Sequence, residues 1–367
     1  MRALFKFVAA YMAAALMLLA QLASGAAQAA LPAFTPVLPL KAPLSFPADF
    51  GAHPDYKTEW WYATGWLKDG AGKDIGYQVT FFRSASQHDR ANPSKFAPTQ
   101  LIVGHSALSD PANGKLLHDQ RSAREGFGLA YAKVGDTDVK LDDWHMRRKP
   151  DGSYQIHIDT PHFALDLRLA PSQPMLLQGE AGFSRRGPHP LQASYYYSEP
   201  HLATSGTVTR NGRASAVTGS TWLDHEWFSA EMDVGVSGWD WIGANLADGG
   251  ALMAFQVRSV TGAKLWARAT WRDASGKIRQ YAPDQVSFTP QRQWRSPRTH
   301  AEYPVATLLA TGGTTWQITP LLDDQELDSR RSTGAVYWEG AVTLSRDGAA
   351  VGRAYLEMTG YVSRIKL

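Results

Sequence analysis

The chain contains no cysteine. That excludes disulfides, cysteine-based zinc sites and cysteine nucleophiles, so an exported fold would have to be held by packing alone. There is no G-x-S-x-G nucleophile elbow, no H-E-x-x-H, no P-loop and no G-x-G-x-x-G, so the usual hydrolase, zinc-protease and nucleotide-binding signatures are missing. The eleven histidines are scattered without ligand spacing, so neither a metal nor a cofactor is expected. Neither sign of charge dominates: the net charge is +3 and the basic residues are dispersed, which argues against nucleic acid as a partner. Long helical periodicity is also scarce.

The single long apolar run, Val8 to Leu22, lies at the N-terminus behind Arg2 and Lys6 and before Ala27-Gln28-Ala29. A positive start, an apolar stretch and an A-x-A site make residues 1–29 a secretory signal peptide, since the run is shorter than the ~20 residues a membrane span needs. Cleavage near Ala29 would leave 338 residues with a net charge of +1 and no transmembrane segment. The expected location is the periplasm or the medium.

Residues 30–50 are Pro-rich (Pro32, Pro36, Pro39, Pro43, Pro47) and read as an extended arm outside the core. From Glu59 onward the pattern is strand and turn. Tyr154, Ile156 and Ile158 alternate with polar residues, as do Phe163, Leu165, Leu167 and Leu169. Asn211-Gly212 and Asp347-Gly348 read as two-residue hairpin turns. One or two short helices are expected, for example over Ser122 to Glu125. Trp61 to Gly70 aligns with Asp240 to Gly249, and Tyr77 to Ser84 with Leu252 to Ser259. The repeat predicts an all-β protein of two antiparallel barrels, residues 51–200 and 201–367, each opened by an aromatic hairpin.

Chemistry concentrates in Thr221 to Trp241, TWLDHEWFSAEMDVGVSGWDW. Asp224, His225 and Glu226 stand in a row between Trp222 and Trp227, and Asp240 lies between Trp239 and Trp241. A carboxyl in a tryptophan-walled cleft is pushed toward its neutral form and can then donate a proton, while His225 could set its protonation. The competing reading is a core seam in which His225 and the acids bond to backbone. Asp224, His225, Glu226 and Asp240 are therefore the candidate catalytic residues. Glu59, Trp60, Tyr62, Tyr196, Trp227, Trp239 and Trp241 are the candidate ligand wall. Strand alternation puts Trp60 with Tyr62 on one face and Trp239 with Trp241 on another. Tyr195-Tyr196-Tyr197 is expected at the domain junction. The stretch as a whole reads as the end of the second barrel's first hairpin followed by the second copy of the aromatic strand.

H-P-D-Y-K-T-E-W-W-Y-A-T-G (His53 to Gly65), the Y-Y-Y-S run, W-L-D-H-E-W (Trp222 to Trp227) and G-W-D-W (Gly238 to Trp241) resemble the AttH-type predicted secreted hydrolases. These are lipocalin-like proteins grouped with carotenoid 1,2-hydratases and some fungal pericyclases. The resemblance implies two lipocalin-like barrels packed side by side and an affinity for lipid- or isoprenoid-like molecules in the cell envelope. It also implies, as alternatives, cofactor-independent hydratase-like acid/base chemistry, a hydrolase, or a non-catalytic accessory to an envelope ABC transporter. In the hydratases a His-x-Trp pair and a later Tyr-x-Asp are implicated. His225 and Trp227 match the first and Asp240 the acid, but Gly238 stands in the tyrosine's place.

Overall fold

The computed structural model describes residues 34–40, 43–89 and 91–365; the signal peptide expected over residues 1–29 lies outside them. By its contacts the chain separates into two units. Met1–Ala33 with Gln87–Ala97 is one, and its described residues are an irregular segment. Phe34–Ser86 with Pro98–Leu367 is the other, and it carries every strand among the described residues.

Thirteen strands form the first sheet. They are β1 (Thr58–Asp69), β2 (Asp74–Ala85), β3 (Gln100–Ser109), β4 (Leu117–Arg124), β5 (Ala130–Ala132), β6 (Asp138–Leu141) and β7 (Trp144–Arg148). They continue with β8 (Tyr154–Asp159), β9 (Phe163–Ala170), β10 (Leu176–Leu177), β11 (Phe183–Arg185), β12 (Ala193–Arg210) and β13 (Arg213–Phe228). The second sheet has β14 (Val236–Leu246), β15 (Ala251–Ser259), β16 (Lys264–Arg272), β17 (Ile278–Tyr281) and β18 (Val286–Arg295). It ends with β19 (Glu302–Thr311), β20 (Thr314–Pro320), β21 (Glu326–Ser329), β22 (Ala335–Arg346) and β23 (Ala349–Met358).

The sheets share one arrangement about their opening strands. The first runs β4-β3-β2-β1-β13-β12-β9-β8-β7-β6-β5, and the second runs β17-β16-β15-β14-β23-β22-β20-β19-β18. In each, the opening strand pairs with the last one, and three further strands continue as a meander on its other side. The aromatic hairpins β1–β2 and β14–β15 hold the same place, as the repeat predicts. Asn211-Gly212 and Asp347-Gly348 have positive φ at both positions (50° and 71°; 51° and 80°), the backbone a tight hairpin turn requires.

Burial patterns show where the sheets meet. β8 and β9 alternate between buried and accessible residues, the mark of one covered face. β1, β2, β14, β15 and most of β22 are buried almost continuously, because both of their faces are covered. One face lines its own sheet's core: Trp61, Phe81, Trp144 and Tyr154 in the first, Tyr303, Trp316 and Trp338 in the second. The other joins a third apolar cluster that includes Tyr62, Tyr196, Trp222, Trp241, Met253 and Phe255.

Several expectations are corrected. Ser122 to Glu125 is not helical: Ser122–Arg124 belongs to β4, where pairing with β3 overrides local propensity. Residue 200 falls within β12, so the change of sheet comes after β13, across residues 229–235. Thr221–Phe228 is accordingly the closing strand of the first sheet and not a hairpin of the second. The Pro-rich arm is not wholly outside the core either. Val37 and Phe50 are buried, Phe50 against Tyr197 and Trp227.

Candidate functional site

The β1–β13 ladder sorts the candidate residues. Trp60 lies opposite Glu226, Trp61 opposite His225 and Tyr62 opposite Asp224. Alternation then sends Trp60, Tyr62, Asp224 and Glu226 to the face between the sheets, and Glu59, Trp61, His225 and Trp227 into the first sheet's core. The acid-base-acid triplet is therefore divided by the strand that carries it.

A cavity of about 330 Å³ opens between the sheets. Its wall includes Trp60, Tyr62, Tyr196, Trp239 and Trp241, all expected as ligand wall, with Phe82, Phe255 and Tyr337 added. Four carboxyl groups face it: Asp224, Glu226, Glu339 and Glu357. Arg186 is the charged base on the wall, its Nε 3.9 Å from Glu226 Oε1.

The four acids differ in their surroundings. Asp224 accepts from Tyr196 Oη (2.7 Å), Ser198 Oγ (2.6 Å) and Trp222 Nε1 (2.7 Å). Burial still outweighs these donors and pushes its pKa up to about 7. The Tyr196 hydroxyl in turn accepts from Trp241 Nε1 at 3.1 Å, so Asp224 fixes part of the aromatic wall. Burial also raises Glu226, against the charge of Arg186 and a hydrogen bond from Ser194. Glu339 and Glu357 lie directly opposite each other on β22 and β23. Burial raises both: Glu339 is pushed further by the charge of Glu357, and Glu357, against a hydrogen bond from Trp239, by the charges of Glu226 and Asp224. Tyr62 Oη donates to Glu339 Oε1 at 2.5 Å and Trp239 Nε1 to Glu357 Oε1 at 3.2 Å.

His225 belongs to a separate cluster, reached from the first sheet's interior. Glu59 Oε1 accepts from His225 Nε2 (2.9 Å) and His53 Nδ1 (2.7 Å), and its Oε2 accepts from Arg83 Nε (2.6 Å). The tautomer that satisfies His225 has its Nδ1 accept from Tyr197 Oη at 3.0 Å. Burial lowers the His225 pKa and keeps the ring neutral. Burial also opposes charge on His53, yet hydrogen bonds to Asp49 and Glu59 outweigh it and raise that pKa. Glu59, which burial alone would raise, is held well below the carboxylate range by the two histidines and Arg83. His53 stacks on Trp227 (3.8 Å, 4°), and Trp61 stacks on His225 (4.6 Å, 22°).

His53, Glu59 and His225 offer three ligand atoms within 4.8 Å of one another, a set that sequence spacing did not reveal. The charges suit hydrogen bonding better than a metal. Both Glu59 oxygens already accept from protonated nitrogen, and a fixed guanidinium stands where a cation's field would be felt.

Asp240 is in a third place. Inside the second sheet it accepts from Gln256 Nε2 (2.8 Å), Arg258 Nε (2.9 Å) and Tyr361 Oη (3.0 Å). Burial raises its pKa against those partners. It occupies the position of Trp61 in the repeat, and Arg258 that of Arg83. Each sheet thus encloses one arginine–carboxylate pair.

Sequence reasoning missed Glu339, Glu357 and Arg186. The available signal for the first two was an acid in each of two otherwise apolar strands, Val336–Leu344 and Ala354–Met358.

The family model for AttH-like proteins matches residues 37–361. The crystal structure of a putative AttH from Nitrosomonas europaea is similar at 60% identity and a TM-score of 0.84, covering 90% of this chain and 100% of that one. Kievitone hydratase from Nectria haematococca shares the fold at 14% identity and a TM-score of 0.66, over 91% of this chain and 99% of its own. CghA bound to Sch210972 does so at 12% identity and a TM-score of 0.53, over 91% and 96%. No curated protein matches.

Proposed function

We propose that this chain, which belongs to the AttH-like family, binds an apolar, alkene-bearing molecule between its two sheets and protonates it without a cofactor. The carrying observation is the combination in one cavity: carboxyls kept toward neutrality by burial, set among tryptophan and tyrosine faces. A neutral carboxylic acid is the group that can give a proton to a poor base.

Glu226 is the proton donor. Unlike Asp224, which three donors hold, it faces the cavity with a single cation at 3.9 Å. Its proton passes to one alkene carbon, leaving positive charge on the other and an ionised Glu226. The faces of Trp60, Trp239 and Trp241 stabilise that charge. Water adds to the cation, and the proton it sheds returns to Glu226, so the net change is one added water. Asp240 and His225 take no part in this step, since both lie inside the sheets and away from the cavity. The low-identity likeness to a protein named a hydratase shows the fold alone, and the reaction class rests on the cavity. Export to the cell envelope, as the leader sequence implies, is part of the same proposal.

A hydrolase reading finds less support. One serine–histidine contact lies on the cavity wall, Ser332 Oγ to His105 Nε2 at 2.9 Å. Burial pushes the His105 pKa down to about 3, and its other nitrogen meets Tyr337 Oη and no carboxylate. Such a ring is a poor general base.

The test is incubation with linear isoprenoid alkenes, read by mass spectrometry for the gain of one water. Glu226→Gln is expected to lower product formation by roughly 10²-fold or more while leaving ligand affinity unchanged. A wild-type protein that carries an apolar ligand and converts none of the alkenes would reduce the function to binding.

A further inference from the structure

The two sheets present matching rows of positions to each other, aromatic then acid, and differ in kind at the third, a serine in one and a carboxyl in the other. In the first sheet the row is Tyr62, Asp224 and Ser198, set by the β1–β13 and β13–β12 registers. In the second it is Trp241, Glu357 and Glu339, set by β14–β23 and β23–β22. The repeat equates Tyr62 with Trp241, and topology equates β13 with β23 and β12 with β22. Asp224 and Glu357 are therefore counterparts. Asp224 has across from it a serine hydroxyl that donates to it at 2.6 Å. Glu357 has across from it a second carboxyl.

Like charges directly opposite on neighbouring strands destabilise a sheet. The strain is compounded by burial, since Glu339 is 1% exposed. One oxygen of Glu339 takes the Tyr62 hydroxyl, while Oε2 has no hydrogen-bond partner among the described residues. A buried carboxyl oxygen left unpaired at a cavity wall is a group awaiting a ligand. What surrounds it selects the kind. Tyr62, Tyr337, Trp239 and Trp241 supply aromatic faces. Two carboxyls among aromatic faces are too few oxygens for a hard metal ion, which takes six or more. They suit an organic cation, whose methyl groups pack on rings while its charge faces carboxylate.

We infer that Glu339 and Glu357 form a subsite for an ammonium group, tertiary or quaternary, carried by an apolar ligand. This rests on the cavity being the ligand site, as proposed above, and adds the charge of the ligand. Binding displaces the proton that otherwise relieves the pair. The charged and titratable groups facing the pair are Tyr62, Tyr337 and Tyr355, with Asp224, Glu226, Arg186 and the neutral His105 along the same wall. Arg186 is placed beside Glu226, so it does not neutralise this end.

The experiment compares choline phenyl ether with its neutral isostere 3,3-dimethylbutyl phenyl ether, titrated calorimetrically into the full-length protein at several pH values. The cation is expected to bind about tenfold or more tightly than the isostere. Its advantage should grow as the pH rises and the pair gives up its proton. Glu339→Gln with Glu357→Gln should erase the advantage and leave the neutral ether's affinity intact, which also reports that the variant is folded. If the neutral ether binds and the cation binds no better, the ammonium subsite is wrong and the apolar cavity stands. If neither binds, the cavity reading fails and the subsite falls with it.

Discussion

Glu59 and Glu226 are buried carboxyls on neighbouring strands, and their chemistry is opposite. Glu59 meets two histidines and Arg83, which hold it ionised; Glu226 meets one arginine at the limit of contact, and burial moves it toward the acid form. On the function proposed above, the first is structural and the second is the proton donor. Glu59→Ala would leave Arg83, 1% exposed, without its counter-charge. A loss of about 3–5 kcal/mol of stability is expected in denaturant unfolding. Glu226→Gln should cost far less, since its neutral form is what burial already favours.

At the scale of strands, the face on which a residue sits decided more than its identity. Alternation in Glu59 to Tyr62 and in Trp239 to Trp241 was legible, and the ligand wall expected from it lines the cavity, Glu59 and Trp227 excepted. The turns at Asn211-Gly212 and Asp347-Gly348 were legible as well, because few residues accept positive φ twice in succession. The partner of β13 was not. Read along the chain, Asp224, His225 and Glu226 form a triplet; folded, β13 lies against β1, more than 150 positions away, and its two faces serve different sites. Glu339 and Glu357 were hidden by a different cause. A bulge between Leu344 and Ser345 shifts the β22–β23 register by one residue. Continued from the turn without the bulge, Glu339 would oppose Leu356 and the two acids would not meet.

The sheets approach closely at β2 and β22, where only a residue without a side chain fits. A Cβ on Gly76 would stand 2.5 Å from the Cβ of Ala341. Gly76→Val should therefore destabilise the protein by about 1–3 kcal/mol, seen as a lowered thermal midpoint. An unchanged midpoint would mean that the sheets are not pressed together at this strand.

For the molecule as a whole, duplication of one sheet gives two cores of their own and a shared surface between them. Each core holds a tightly bonded arginine–carboxylate pair, and the surface between holds four acids of which Glu226 alone meets an arginine, at 3.9 Å. Carboxyls with raised folded-state pKa values contribute stability that is fully present below their unfolded values and is lost as pH rises through the folded ones. Asp224, pushed to about 7, and the raised Glu226, Glu339 and Glu357 all act in this direction. Glu59 acts in the other, its stabilisation being lost only as acid titrates it. The thermal midpoint should accordingly decline between about pH 4 and 8, from the ordinary carboxylate range up to the raised values, and decline less in Glu339→Gln.

The most direct measurement is the infrared difference spectrum of wild-type protein minus Glu226→Gln at about pH 6, where an ordinary glutamate is ionised. The cavity described here predicts the loss of a protonated carboxylic C=O band with no change in ionised carboxylate. Loss of an ionised carboxylate band alone would show that Glu226 carries no proton to give, and would contradict its role as the acid.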